Sequence, residues 1–198
     1  MARPRKRQRD ETVARALEVF MQHGAGATPL DDLLARVGIG RGSFYNDFDD
    51  KEQLYQETLE LFSERFMEGP PGELEGRKSG LPAITALLSR AARDLLRREP
   101  PRTCYFMNSV MERGGRDVKT NQAAAAGFER IRAALKRAVV SGQSDKEIRT
   151  EVSAEEAAAT LLAVAYGMQV MGKAGMGPRV IRQCVRGARA LLSPPSPR

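Results

Sequence analysis

The sequence predicts an all-α protein of about nine helices, and three observations carry that expectation. The periodic stretches of the 198 residues repeat their apolar positions at intervals of three and four. No stretch alternates apolar and polar residues over the length of a strand between hairpin turns. Glycines, prolines and capping residues punctuate the ends of the periodic segments.

The first helix is expected from about Asp10 to His23, with Val13, Ala16, Leu17 and Phe20 on one face and Gly24 as its stop. The second opens on Thr28 as N-cap, Pro29 in the first helical position and Asp31 closing a T-x-x-D capping box. Its buried face is Leu30, Leu33, Leu34 and Val37. A short third helix spans about Arg41 to Phe48, with Phe44 and Phe48 turned inward beside Ile39. A fourth starts at Asp50 with Gln53 at N3 and carries Leu54, Leu61, Phe62 and Phe66. The stretch EGPPGELEGRKSG then breaks it and reads as a loop.

Beyond that loop, Ile84, Leu87, Leu88, Ala91, Leu95 and Leu96 form a regular amphipathic stripe ended by Pro100 and Pro101. Cys104 to Arg113 is a short helix stopped by Gly114 and Gly115, and a longer one carries Phe128, Ile131, Leu135, Ala138 and Val139 up to Gly142. Ser153 and Glu156 make a second capping box, opening a helix that is apolar nearly all round through Met171 and therefore has to be covered on several sides. The last helix runs from Pro178 to about Leu192. Ile181, Cys184, Val185, Ala188 and Leu192 lie on one side, and Arg179, Arg182, Arg186 and Arg189 on the other. Residues 193–198 read as a disordered tail.

Composition excludes several classes. Hydrophobic residues at 41% and charged residues at 29% are ordinary for a globular chain. The longest apolar run, Ala157 to Met171, falls short of the roughly 20 residues that cross a bilayer. Asp10 and Glu11 interrupt the basic start where a signal peptide needs its apolar stretch, so neither export nor a membrane partner is expected. Cys104 and Cys184, with no CxxC pair, fit the reducing cytoplasm. His23 is the only histidine, so neither a Cys/His metal site nor a histidine-based catalytic group is well supplied. No catalytic residue, metal or cofactor is expected.

A net charge of +7 suits nucleic acid, but residues 1–50 balance their acidic and basic side chains, and their positive charge is concentrated in Arg3, Arg5, Lys6, Arg7 and Arg9. The stretch VGIGRG is more informative. A dinucleotide-binding loop would need a third glycine where Ser43 stands and a strand before it, and no Walker motif matches. Helix, tight turn and short helix instead form a helix-turn-helix layout. Gly38 would end the second helix in the left-handed conformation, Gly40 would cap the third, and Gly42 would let the backbone approach DNA closely. The outward face then carries Arg41 and Asn46, which suit guanine and adenine edges, with Ser43, Tyr45 and Lys51 suited to phosphates. The competing reading is a solvated helix face. Asp47 would accept from a cytosine amino group, hold Arg41 or Lys51, or point away from the groove.

Residues 10–55 resemble the DNA-binding domain of TetR-family transcriptional regulators: a first helix ending in Phe20 and Gly24, then TPLDDLLARVG, GIGRGSFYNDF and DKEQLY. The resemblance implies a three-helix DNA-binding domain, a helical ligand-binding and dimerisation domain, and a homodimer on a palindromic operator, formed through the last two long helices. It also implies repression relieved by a small-molecule effector, with activation left open. By position, Thr28 matches a phosphate contact at the start of the second helix. Arg41, Gly42, Ser43, Tyr45 and Asn46 match recognition-helix contacts, and Lys51 matches a phosphate-binding lysine. Gly40 departs from the family's frequent serine, and Asp47 from an aromatic residue or histidine.

The expected layout is a flexible basic arm at 1–9, whose Arg5, Lys6 and Arg7 lie along DNA, a DNA-binding domain at 10–55, and a ligand-binding and dimerisation domain at 56–192. Candidate effector-lining residues are Phe62, Phe66, Cys104, Tyr105, Met107, Met111, Phe128, Tyr166 and Met168. Cys104 follows Arg97, Arg98 and Arg102, a setting that favours a reactive thiolate. The C-terminal half, from CYFMNSV to EIRTEVSAEEAA, is similar to the electrophile-responsive NemR/AcuR-like branch. A ligand-independent architectural DNA-binding protein is the competing function. It predicts no selected palindrome and no small-molecule release.

Overall fold

A computed structural model describes the backbone of residues 2–75, 80–97 and 103–194, and the side chains of 2–6, 67, 68, 70, 73 and 75 lie outside the description. Among the described residues every regular element is a helix. In order these are α1 (Ala2–His23), α2 (Leu30–Val37), α3 (Arg41–Asp47), α4 (Lys51–Glu68), α5 (Pro70–Glu75), α6 (Gly80–Arg97), α7 (Tyr105–Arg113), α8 (Val118–Ser144), α9 (Ala154–Lys173) and α10 (Pro178–Leu192). The chain forms two compact units. One holds Met1–Arg65 with Cys104–Ala125, the other Phe66–Thr103 with Ala126–Arg198. The expected DNA-binding segment 10–55 falls within the first unit, which also takes in α7 and the start of α8.

The core of the first unit is the predicted one except at Leu30 and Ile39, which are half-buried. Val13, Ala16, Leu17 and Phe20 of α1 meet Leu33, Leu34 and Val37 of α2, with Phe44, Phe48 and Leu54 closing the centre, all buried. Tyr55 and Tyr105 bring α4 and α7 together. Tyr55 shares a hydrogen bond with Thr120 at 3.0 Å, and Tyr105 shares one with Thr58 at 2.8 Å. Burial raises the ionisation of both phenols above the usual tyrosine range, so both stay neutral donors. The N-cap of α4 forms as expected, Asp50 Oδ1 accepting from the Gln53 N–H at 2.7 Å.

Two expected loops are helical. The backbone of residues 2–9, expected as a flexible arm, forms the first turns of α1. Arg7 pairs with Glu11 at 3.2 Å, while Arg9 reaches Glu57 at 2.5 Å with its guanidinium over the Phe48 ring, 4.7 Å from the centroid. These polar anchors leave no apolar period, so hydrophobic spacing starts the helix too late. The breaker contains α5, whose Pro70 and Pro71 occupy its first turn, where no N–H is needed, and whose Leu74 is buried.

In the second unit α6, α9 and α10 pack on one another and α5 packs on α6. Ile84, Leu88 and Leu95 face Leu161 and Met168 of α9 and Ile181, Ala188 and Leu192 of α10, all buried. Ser153 Oγ accepts from the Glu156 N–H at 3.5 Å, as the capping pattern predicts. Gly80 is fixed by close approach to α8, since a Cβ there would lie 2.1 Å from the Ala138 carbonyl oxygen. Of the apolar side of the last helix, Ile181, Ala188 and Leu192 close this unit's own core, while Val185 is half-buried. The apolar positions left exposed lie on the other side: Ala159, Ala163 and Val170 on α9, and Gly187 and Leu191 on α10. No helix among the described residues is long and apolar enough to cross a membrane.

Candidate nucleic-acid interface

The turn between α2 and α3 is built by its glycines. Gly38 adopts φ 80° and ψ 37°, the left-handed conformation that a side chain disfavours, and its N–H closes on the Leu34 carbonyl at 2.9 Å. Gly40 is extended, at φ −81° and ψ 159°, and its carbonyl accepts the first bond of α3 from the Phe44 N–H at 3.0 Å. The start of α2 differs from expectation: Pro29 occupies the N-cap with no side-chain cap, so the T-x-x-D box does not form. Thr28 is buried and donates its hydroxyl proton back to the Gly24 carbonyl at 2.6 Å.

Seven residues are too few for a helix to be stable alone, so packing orients α3. Phe44 is fully buried and stacks on Phe48 with centroids 5.6 Å apart. That contact turns Arg41, Gly42, Ser43, Tyr45 and Asn46 outward together, all exposed. Tyr45 is 55% exposed, its ring set against the edge of Phe44 at 5.1 Å. Nothing lies within 4 Å of where a Cβ on Gly42 would stand. No contact within the chain therefore requires glycine there, and Gly42→Ala should raise stability by up to about 1 kcal/mol through helix propensity. The same change should weaken DNA binding, and urea unfolding beside fluorescence anisotropy on DNA reads the two opposite signs. Unchanged affinity would contradict close approach at Gly42.

The charges of this face are arranged by neighbouring helices. Arg41 forms two bonds with the Asp31 carboxylate of α2, 2.9 Å from Nε and 2.7 Å from Nη2, and this pairing raises its already high pKa. Asp31 holds Arg41. Both partners are well exposed, so the pair contributes little to stability and can be exchanged for a base edge at small cost. Asp47 gives its backbone carbonyl to Arg9 Nε at 3.3 Å, which ties the end of α3 to α1. Lys51 lies outside the α3 face. Its ammonium donates to the Ala25 and Thr28 carbonyls at 2.7 Å each, and burial, then the nearby Arg113, lowers its pKa. Arg7 is exposed, and the side chains of Arg5 and Lys6 lie outside the described residues.

Sequence reasoning missed how the segment leading into α2 is clamped. From α7, Glu112 accepts the backbone N–H groups of Ala25, at 3.1 Å, and Gly26, while Lys51 holds carbonyls of the same segment. Arg113 bonds both oxygens of Glu52 and lies over the Tyr55 ring, 4.0 Å from its centroid. Burial alone would raise the Asp117 carboxyl, but bonds from Thr120 and Gln56 and the charge of Arg113 hold it below the usual range. A contact between residues 86 positions apart leaves no local pattern, and no sequence signal marks Glu112.

The nine candidate effector-lining residues divide between the units. Phe62, Cys104, Tyr105, Met107 and Met111 fall in the first, and Phe66, Phe128, Tyr166 and Met168 in the second. Within the first, Phe62 packs edge-on against Tyr105 and Phe106, at 5.5 and 4.8 Å, whereas Met111 is 76% exposed. Cys104 is half-buried at the N-cap of α7. Within the second, Phe128 meets Tyr166 at 4.8 Å and Met168 is fully buried. His23 sits 3.2 Å from Arg36, and no cluster of three or more metal-ligating side chains occurs among the described residues.

Two family profiles match the chain. Residues 13–58 match bacterial regulatory proteins of the tetR family, and residues 80–188 match the tetracyclin repressor-like C-terminal domain. A similar curated protein is the uncharacterized HTH-type transcriptional regulator YezE of Bacillus subtilis, 29% identical over 149 residues that cover 75% of each chain. Among solved structures, reduced NemR of Escherichia coli superposes with a TM-score of 0.84 at 18% identity, covering 96% of this chain and 99% of that one. A cysteine mutant of the TetR-family regulator CifR, solved with 26-base-pair operator DNA, gives 0.77 at 22% identity over 91% of this chain and 95% of its own.

Proposed function

Because the chain belongs to the TetR family of bacterial transcriptional regulators, we propose that it is a cytoplasmic homodimeric repressor, held on a palindromic operator by two α3 faces and released by a small molecule. The observation that best supports this reading is the joint exposure of Arg41, Gly42, Ser43, Tyr45 and Asn46 on a helix fixed from behind by Phe44. Arg41 leaves Asp31 to pair with a guanine edge, Asn46 reads adenine, and Ser43 and Tyr45 meet phosphates. Arg5, Lys6 and Arg7 extend the positive charge along the duplex. Thr28 and Lys51 act at the phosphate backbone through the segment they order, Lys51 keeping one of its three N–H donors beyond its two carbonyl bonds. No residue is assigned a catalytic role.

Release is read through α7. Glu112 and Arg113 end this helix and hold the segment before α2 and the start of α4, so movement of α7 shifts the mount of α3. Cys104 begins the same helix, where addition of an electrophile to its thiol would act on that mount. Residues 10–55 serve as the DNA-binding domain and the remainder to 192 as the effector and dimer domain.

Selection of bound sequences from a random DNA pool tests the proposal. A palindrome whose half-sites lie about one helical turn, ~34 Å, or somewhat more apart is the expected result. Enrichment of no symmetric sequence would favour an architectural DNA-binding protein instead.

A further inference from the structure

In the second unit α6 and α10 leave a groove of about 550 Å³, in the ordinary size range of small-molecule sites. Arg93 and Arg97 of α6 line it together with Arg182 and Arg186 of α10, over apolar surface from Leu96 and Val185. Each arginine pair is spaced i, i+4, an arrangement of like charges that destabilises a helix. Here two such pairs share one recess. α10 contains no acidic residue and α6 only Asp94, which pairs with none of the four among the described residues. Helical spacing also sets Arg182 and Arg186 on the flank of α10 away from Gly187 and Leu191, so a dimer built on those residues leaves the groove open.

We infer that this groove binds an amphiphilic monoanion, a carboxylate carrying a short alkyl body. Guanidinium groups take a carboxylate with two parallel bonds, which suits the head group, and the alkyl body covers Leu96 and Val185. The mixed lining decides between ligand types, because a bare anion leaves the apolar surface wet and an uncharged amphiphile brings no charge to the four guanidinium groups. The site lies outside the α3 face and its test needs no DNA, so it stands or falls separately from the repressor reading.

Calorimetric titration of the full chain with octanoate, inorganic phosphate and octanol separates these cases. Octanoate should bind saturably at one per chain, with phosphate and octanol each weaker by about tenfold or more. The double substitution R93Q/R186Q should weaken octanoate by at least about tenfold and leave the thermal midpoint nearly unchanged, because both side chains are exposed. If that variant melts early, the pair R97Q/R182Q is titrated in its place with the same expected loss. Absence of saturable octanoate binding, phosphate binding as tight as octanoate, or full retention of affinity in the folded variant would overturn the inference.

Discussion

A chain carrying Val170→Asp and Leu191→Asp should be monomeric and should bind the selected palindrome about 10²- to 10⁴-fold more weakly, the range lost when two linked contacts become one. Both residues are more than half exposed, at 52% and 60%, and belong to the apolar faces that α9 and α10 do not use in their own core. Those faces contain small residues, Ala159 and Ala163 on α9 and Gly187 on α10, and nothing lies within 4 Å of a Cβ built on Gly187. Small residues allow two helix pairs to approach closely, and a four-helix contact with a second copy would cover what one chain leaves open. An aspartate at either position carries charge into that contact, while costing the isolated chain little. Sedimentation velocity with anisotropy on the palindrome measures both effects. A variant that remains dimeric, or a monomer with undiminished affinity, would contradict this interface.

Phe44→Ala should abolish DNA binding by a different route. Truncating a fully buried phenylalanine costs about 3–5 kcal/mol, and here the loss falls on a helix of seven residues that only packing holds. The stack on Phe48 goes with it, and with the stack the surface that faces Tyr45 outward. The expected result is loss of most of the first unit's stability in urea, with α9 and α10 still helical by hydrogen exchange. Phe44→Leu, which keeps much of the volume, should restore binding in part. Wild-type affinity in Phe44→Ala would show that packing of Phe44 does not position the α3 face.

The contrast between what the chain's pattern revealed and what it concealed follows from the range of the interactions. The α2 turn was legible because its causes are local: Gly38 has to adopt positive φ, and Phe44 and Phe48 share a face at a spacing of four. The outward set of α3 follows once that face is known. The start of α1 was not legible, because its anchors are polar and distant, Arg9 reaching Glu57 across 48 positions. The capping box at Thr28 failed for a related reason. A hydroxyl that could cap forward found the Gly24 carbonyl behind it, while Lys51 took the Thr28 carbonyl. Asp47 gains a further role, since its backbone carbonyl is a tether for Arg9, and Asp31 pairs with Arg41.

The same distinction separates the two faces of α10. The last two long helices were expected to meet a partner, yet Ile181, Ala188 and Leu192 are covered within their own unit. Periodicity identifies a face that will be buried but not which chain buries it. Only the three-dimensional packing distinguishes the covered face from the exposed one that carries Gly187 and Leu191.

The central claim is that two symmetric α3 faces read bases through Arg41 and Asn46. Repeating the random-pool selection with Arg41→Ala and with Asn46→Ala tests it most directly. Each variant should lose preference at its own pair of symmetry-related positions, by about 1–3 kcal/mol per base pair, and keep the rest of the palindrome. A uniform loss of affinity with the sequence preference intact would show that both side chains contact only the backbone, and unchanged selection would show that the readout lies elsewhere.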